Sequence, residues 1–272
     1  DKPFRAMLII RNDAGYLRLS ELLTEAYVGK DRNIHHAELN PEWLENGDNS
    51  GLICLSGAHY GEVGVNLLNG NEDAARAAAL KYAAWFPDAF YLELQRLPER
   101  PEWEACVSGS VKLAEELGLP VVATHPTQFM SSDDFNAHEA RVCIAGGWVL
   151  TDKKRPRDFT PSQFFIPPET MAERFADLPE ALENTVEIAK RCNLHITLGK
   201  NFLPLFPTPD GLSLDDYLIK LSNEGLQERM VQLYPDEAER AAKMPEYQER
   251  LDFELNIIIQ MKFPGYFLIV QD

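Results

Sequence analysis

The feature that most restricts the fold is an alternation of short apolar runs with helical stretches that persists as far as Gly147. The apolar runs are Met7–Ile10, Leu52–Leu55, Phe90–Leu94 and Pro120–Ala123. Helical stretches follow them at Ala14–Val28, at Glu62–Leu68 with Asn71–Trp85, at Glu102–Leu117 closing on Gly118, and at Ser132–Ile144 stopped by Gly146-Gly147. This order predicts an α/β chain of βα units with a parallel sheet or barrel. The runs are apolar without alternation, as strands buried on both faces are. Ser132 or Asp133 is expected to cap its helix by accepting from the first free N–H groups. A closed barrel of this kind needs about eight strands. The expectation is therefore a chain that begins in the middle of such a fold, with an open, smaller sheet as the alternative. The sequence starts without methionine, almost directly in a strand, which agrees with a chain that begins inside a fold.

Beyond Gly147 the pattern changes. Pro156, Pro161, Pro167 and Pro168 mark residues 151–170 as a surface connector. Helix is expected again from Pro168 to Phe175 and from Pro179 to Cys192, with Pro179 at a helix start, where its missing N–H does no harm. Leu203–Pro209 is proline-rich and extended. Ser213 with Asp216 resembles a capping box. A last helix from Glu246 to Met261 puts Leu251, Leu255 and Ile258 on one face, and Phe267–Val270 reads as a new strand where the sequence stops. Two domains are expected, residues 1–192 and 193–272.

Charge narrows the function. Lys and Arg number 26 against 43 Asp and Glu, a net charge of −17, divided −11 and −6 between the two expected domains. Such a surface repels phosphate backbones at long range and excludes a tight, non-specific nucleic-acid binder. The one basic cluster, Lys153, Lys154, Arg155 and Arg157, reads as a solvated loop. A composition of 45% hydrophobic and 25% charged residues excludes a disordered or coiled-coil chain. The four cysteines, Cys54, Cys106, Cys143 and Cys192, lie far apart without a CxxC pair, which argues against a disulfide framework or a structural zinc site. No apolar run approaches the ~18–20 residues of a membrane-spanning helix.

Reactive groups are sparse. A metal site needs three or four converging N, S or O donors, and neither HxH nor HExxH occurs among the six histidines. His35-His36 sit in a polar loop, whereas His59 and His125 follow the second and fourth apolar runs. Strand C-termini are where βα barrels place their active sites. With Glu93, His138, Asp133 and Asp134, these two histidines could be imagined as a metal phosphoesterase, although rim residues without convergence are the plainer reading. There is no GxSxG elbow, so Ser56 and His59 make no triad, and no Walker A or GxGxxG loop is present. Cys54 and Cys143 lie in apolar runs and read as small core residues.

Several strings are more specific. They are LICLSGAHYGEVG (52–64), PDAFYLELQR (87–96), GLPVVATHPTQFMSSDDFNAHEARVCIAGG (118–147), KKRPRDFTPSQFF (153–165), FADLPEALENTVEIAKRCNL (175–194), FLPLFPTPDGLSLDDYL (202–218) and PEYQERLDFELNIIIQMKFPGYFLIVQD (245–272). In this order they resemble the bacterial C-family replicative DNA polymerases, the polymerase III alpha subunits. The resemblance implies that residues 1–192 are most of a polymerase and histidinol phosphatase (PHP) domain, a distorted βα barrel here lacking its first strands, and that residues 193–272 are a helix-rich entry into the polymerase palm. It implies a cytoplasmic protein whose parent performs Mg²⁺-dependent, template-directed nucleotidyl transfer. The Gly-Ser motif and catalytic aspartates of that reaction are expected outside this stretch, and Asp272 is not one of them. Its expected partners are the proofreading exonuclease subunit and other replicase subunits, with DNA contacted through other regions and no membrane involved.

Metal-binding PHP domains use His, Asp, Glu and Cys at strand ends. The resemblance places Arg5 where those relatives have His, Ala58 where they have Cys after the LSG motif, and Pro126 and Gln128 where they have an Asp-x-His pair. A fixed cation, two side chains without donors and a neutral amide would lose the affinity for an ion. The implied PHP domain is then a metal-free scaffold that docks the exonuclease. The alternative is an active metal-dependent phosphoesterase or exonuclease built on His59, Glu93, His125 and His138.

Overall fold

A computed structural model describes residues 3–200, 202 and 204–272. It divides into two compact units, Asp1–Ile196 and Thr197–Asp272. In the first unit four strands, β1 (Met7–Ile10), β2 (Leu52–Leu55), β3 (Phe90–Gln95) and β4 (Val121–Thr124), form one sheet in that order. Between and after them lie α1 (Asp13–Val28), α2 (Pro41–Glu45), α3 (Glu62–Leu68), α4 (Glu72–Trp85), α5 (Glu104–Leu117), α6 (Phe135–Gly146), α7 (Pro168–Arg174) and α8 (Pro179–Arg191).

The βα units reproduce the parallel pairing of β2 with β3 and of β3 with β4. β1 departs from the expectation and pairs antiparallel with β2, Met7 opposite Leu55 and Ile10 opposite Leu52. The cause is the long connection after α1. It doubles back through α2 to the end of the sheet where α1 began, so Gly51 lies against Gly15 in the first turn of α1. This second traverse reverses β2 relative to β1. The arrangement is mixed α/β with a four-stranded sheet.

Burial follows the non-alternating pattern. Every residue of β2 and most of β3 are buried, and Leu52, Ile53, Cys54 and Leu92 have no exposure. The main core joins them to Leu22 of α1, Val63 of α3 and the alanine face Ala75, Ala78 and Ala79 of α4, where small side chains let the helix approach the sheet. A second cluster joins Leu94 and Ala123 to Val107, Phe175 and Ala181. There α8 lies on β4, with Asn184 Nδ2 donating to Val121 O at 2.8 Å. Cys54 and Cys143 are buried, as read from their apolar runs.

The cap of α6 falls one residue earlier than expected. A 3-10 turn, Ser132–Asp134, precedes the helix, and Ser131 closes a capping box with Asp134. The connector is less of a surface segment than its prolines suggest, because Thr160, Gln163 and Ile166 are buried and Phe164 bridges in parallel to Phe129. Arg155 also leaves the solvated loop. It forms an ion pair with Glu139 of α6 in which both side chains are 7% exposed, whereas Lys153, Lys154 and Arg157 stay in solvent.

The second unit contains α9 (Leu214–Leu233), α10 (Glu237–Gln260) and α11 (Pro264–Gln271) around Leu218, Leu255 and Leu268. Ser213 caps α9, its Oγ accepting from Asp216 N–H at 3.1 Å. The last long helix starts at Glu237 instead of Glu246 and runs through Pro245, with Asp236 accepting from Glu239 N–H at its start. Phe267–Val270 is helix and not strand: Pro264 begins α11, and Leu268 packs fully buried in the unit's core. Of the extended stretch 203–209, Leu203 lies outside the described residues and residues 204–208 are without helix. Among the described residues no single helix is long and apolar enough to cross a membrane.

Candidate functional site

The parallel strands β2, β3 and β4 bring their C-terminal ends together, and the turn after β2 is the most constrained piece of this edge. Gly57 has φ +80°, and a Cβ there would lie 1.9 Å from Arg5 O. A Cβ on Gly61 would lie 1.6 Å from Ser56 O. Side chains are therefore excluded at both positions, which accounts for two glycines of the SGAHYGEVG string by sterics alone. Ala58 is buried between them with φ 46°, a left-handed conformation unusual for alanine. Its methyl group offers nothing to an ion.

Glu93 on β3 ties three segments together. Its Oε2 accepts from Gly57 N–H at 3.1 Å, and its Oε1 accepts from Thr124 Oγ1 at 2.5 Å and Gln95 Nε2 at 3.1 Å. Ser56 Oγ in turn accepts from Glu93 N–H at 2.9 Å. The carboxylate is buried, and its lone pairs are engaged by donors from the β2 turn, β3 and β4. Ser56 thus has a bonding role that its short distance from His59 in sequence did not reveal. Burial, with Glu93 nearby, pushes the Cys54 thiol far above its ordinary range, so no thiolate is at hand.

The four histidine and carboxylate candidates sit in different surroundings. His59 lies in the 3-10 turn Ala58–Tyr60, 8% exposed, its ring stacked on Trp103 with centroids 3.5 Å apart. Neither of its nitrogens has a hydrogen-bond partner among the described residues. Burial, then Arg100 and Arg5, pull its pKa down to about 4 against a smaller upward pull from Glu102. His125 is bound at both nitrogens: Nε2 reaches Phe164 O at 3.0 Å, and Arg174 Nη1 reaches Nδ1 at 3.2 Å. Burial and Arg174 lower its pKa. His138 is buried in α6 between Phe129 and Phe159, its pKa lowered by burial and then by Arg141. Among the described residues no group of three or more His, Cys, Asp and Glu side chains is placed to hold a metal ion.

The four positions that the resemblance pairs with metal-binding residues are equally distinct. Arg5 is exposed ahead of β1, donates its N–H to Tyr60 O at 3.0 Å and lays its guanidinium over the Tyr60 ring. The Pro126 carbonyl accepts from Gln163 Nε2 at 3.1 Å, and Gln128 N–H donates to Gln163 O at 2.7 Å. The connector is thereby laid along residues 126–129 and uses their backbone groups itself. A divalent ion is not matched by this donor set, which holds one cation, one methyl, one tertiary amide and one exposed neutral amide. His35, His36 and His195 are exposed. Arg96, Gln95, Thr124 and Arg174, which organise this edge, carried no signal in sequence, since their partners are distant along the chain.

Comparison with known proteins gives two family matches, a PHP domain over residues 1–97 and a bacterial DNA polymerase III alpha NTPase domain over residues 216–272. Over its full length the chain is 98% identical to a DNA polymerase III subunit alpha of Neisseria meningitidis serogroup A, of which it covers 24%. It is 48% identical over its full length to the subunit of the same name from Escherichia coli K12, covering 23% of it. It is 47% identical over 270 residues to that of Pseudomonas fluorescens, again covering 23%. The chain thus spans about a quarter of the length of the curated relatives it matches.

Proposed function

The chain belongs to the bacterial DNA polymerase III alpha-subunit family, and from that premise we propose that it is part of a cytoplasmic replicative polymerase. Its parent would carry out template-directed nucleotidyl transfer with Mg²⁺, the ions polarising the phosphoryl group and activating the attacking oxygen. No residue of this chain is assigned to that step. In this reading residues 1–192 are a PHP domain of distorted-barrel type and residues 193–272 lead into the palm. The PHP domain serves as a metal-free scaffold, and its partner is the proofreading exonuclease subunit.

One observation carries the scaffold reading: the polar groups at the strand ends, His59 excepted, are bonded to the protein itself. Glu93 is held by three donors, His125 at both nitrogens, and the backbone around Pro126 and Gln128 by Gln163. The acidic surface favours a protein partner over nucleic acid.

The test is co-elution of the chain with the cognate exonuclease subunit, together with metal analysis of the purified protein. The expected result is a stable complex and sub-stoichiometric zinc and manganese. Absence of a complex refutes docking. Stoichiometric metal, with phosphoester hydrolysis lost in His125→Ala, replaces the scaffold by the phosphoesterase.

A further inference from the structure

A cavity of about 390 Å³ opens beyond the end of β3, walled by Leu97, Pro98, Pro101 and Trp103, with Arg100 and Glu104 also in its lining and Arg96 and Arg174 flanking it. The two arginines differ in what they have left to give. Arg96 is saturated: Nε and Nη2 bond Glu104 at 3.0 and 2.8 Å, Nη1 and Nη2 bond Asp177 at 2.6 and 3.0 Å, and Nη1 also reaches Arg174 O at 2.8 Å. Arg174 has no carboxylate within ion-pair distance among the described residues. Its Nη1 reaches Arg96 O at 3.4 Å and His125 Nδ1 at 3.2 Å, and among the described residues no bond is made by Nε or Nη2.

His125 explains why the guanidinium stays there. Phe164 O takes the proton of Nε2, so Nδ1 carries the lone pair and accepts from Arg174. One end of the guanidinium is thus anchored by a neutral imidazole, while the other end is unpaired. Glu99 is the carboxylate whose field reaches Arg174, and its Oε1 already accepts from Ser162 Oγ at 2.6 Å. A half-buried cation without a counter-ion is costly, and burial accordingly pulls Arg174 below the usual guanidinium range.

We propose that this cavity binds a single carboxylate borne on an apolar body, the carboxylate seated on Nε and Nη2 of Arg174 and the body against Trp103. The two parallel N–H groups match a carboxylate in bidentate geometry. The volume falls in the range of small-ligand sites, and Leu97, Pro98, Pro101 and Trp103 give it an apolar wall beside the charged lining residues Arg96, Arg100, Glu104 and Arg174. Charge selects the monoanion: Glu104 lines the cavity, Asp177 pairs with its Arg96, Glu102 pairs with its Arg100 and Glu99 acts on Arg174, in a chain of net charge −17, so a phosphate of nearly twice the charge is repelled more strongly. This inference stands apart from the polymerase reading.

The test is calorimetric titration of the full chain with N-acetylphenylalanine, N-acetylphenylalanine amide, phenyl phosphate and a longer peptide ending in phenylalanine. The acid is expected to bind below about 1 mM and the amide at least about tenfold more weakly, the effect of one charge-assisted bond. Arg174→Gln should abolish that preference, and Arg174→Lys, which keeps the charge without the fork, should retain part of it. Tighter binding of the peptide assigns the carboxylate to a partner's C-terminus, and equal binding assigns it to a free small acid. Equal affinity for acid and amide, tighter binding of phenyl phosphate, or an unchanged preference in a folded Arg174→Gln chain overturns the proposal.

Discussion

If Glu93 is a structural clamp, removing its charge must destabilise the fold; if it is a ligand waiting for an ion, removing its charge must stabilise it. The two cases therefore differ in sign. In the structure Glu93 is 4% exposed and has no basic partner within ion-pair distance among the described residues, yet it accepts from Gly57, Thr124 and Gln95. Each bond to a charged acceptor contributes about 1.5–3 kcal/mol. In Glu93→Ala, Thr124 and Gln95 keep each other, 2.9 Å apart, so the loss concentrates on the half-buried Gly57 N–H and the emptied carboxylate site and sums to about 3–5 kcal/mol. Glu93→Gln retains one acceptor but turns an NH₂ group towards existing donors, for a loss of about 2 kcal/mol. With a urea slope of about 2–3 kcal/mol/M, the midpoint of the first unit should fall by roughly 1–2 M in the alanine variant and by under about 1 M in the glutamine variant. A rise in midpoint for Glu93→Gln would refute the clamp, because an uncompensated buried charge is relieved by neutralisation.

Further outcomes follow from the buried titratable groups. The folded pKa of His59 is about 4, against 6.5 for an ordinary imidazole, so between these values the unfolded chain binds a proton that the fold refuses. Stability should be complete above pH 6.5 and fall towards pH 4 by on the order of 2 kcal/mol, and His59→Phe, which keeps a ring on Trp103, should flatten that part of the pH profile in urea denaturation. Glu139→Ala should cost about 3–5 kcal/mol by leaving Arg155 buried and unpaired, with much of the loss recovered in the Glu139→Ala/Arg155→Met double variant; equal stability of the single and double variants in thermal melts would refute a buried pair.

The sequence made the sheet legible where burial alone decides the pattern. β2 and β4 are runs of four with no charged side chain, bounded by glycine or proline, and β3 departs from that pattern only at Glu93 and Gln95. Direction was not legible for β1, because its pairing depends on how the 29–51 connection travels, and that path is set by packing against Gly15 and by Asn49, whose Nδ2 bonds Leu44 O and Trp85 O. Phe267–Val270 shows the limit of reading four apolar residues. Their composition suits a strand, yet Pro264 at a first helical position and the burial of Leu268 against Leu218 and Leu255 select a helix. Arg155 shows the same limit for charge: in a run of four basic residues, nothing local marks the one whose partner is sixteen positions away on another element.

The site was legible as positions but not as chemistry. His59, Glu93 and His125 do stand at the strand ends, where a βα architecture puts reactive groups, yet what each can do depends on neighbours that no spacing reveals. Glu93 is neutralised in effect by three dipoles, His125 spends its lone pair on Arg174, and His59 is turned against Trp103 with a proton affinity too low to charge near neutrality. The groups left with unspent capacity at this edge are thus a neutral imidazole and a guanidinium. Two more guanidiniums, Arg5 and Arg100, act on the same imidazole. A divalent cation placed beside His59 would find one nitrogen donor with an unspent lone pair and would face the guanidiniums of Arg5 and Arg100, with the carboxylates of Glu93 and Glu102 as the opposing charges. Coulomb repulsion between like charges a few ångströms apart amounts to about 4 kcal/mol per pair even at an effective dielectric of 20. On the proposed reading one lone pair set against two guanidiniums does not favour a cation here, so the scaffold role and the carboxylate cavity are compatible on one strand edge.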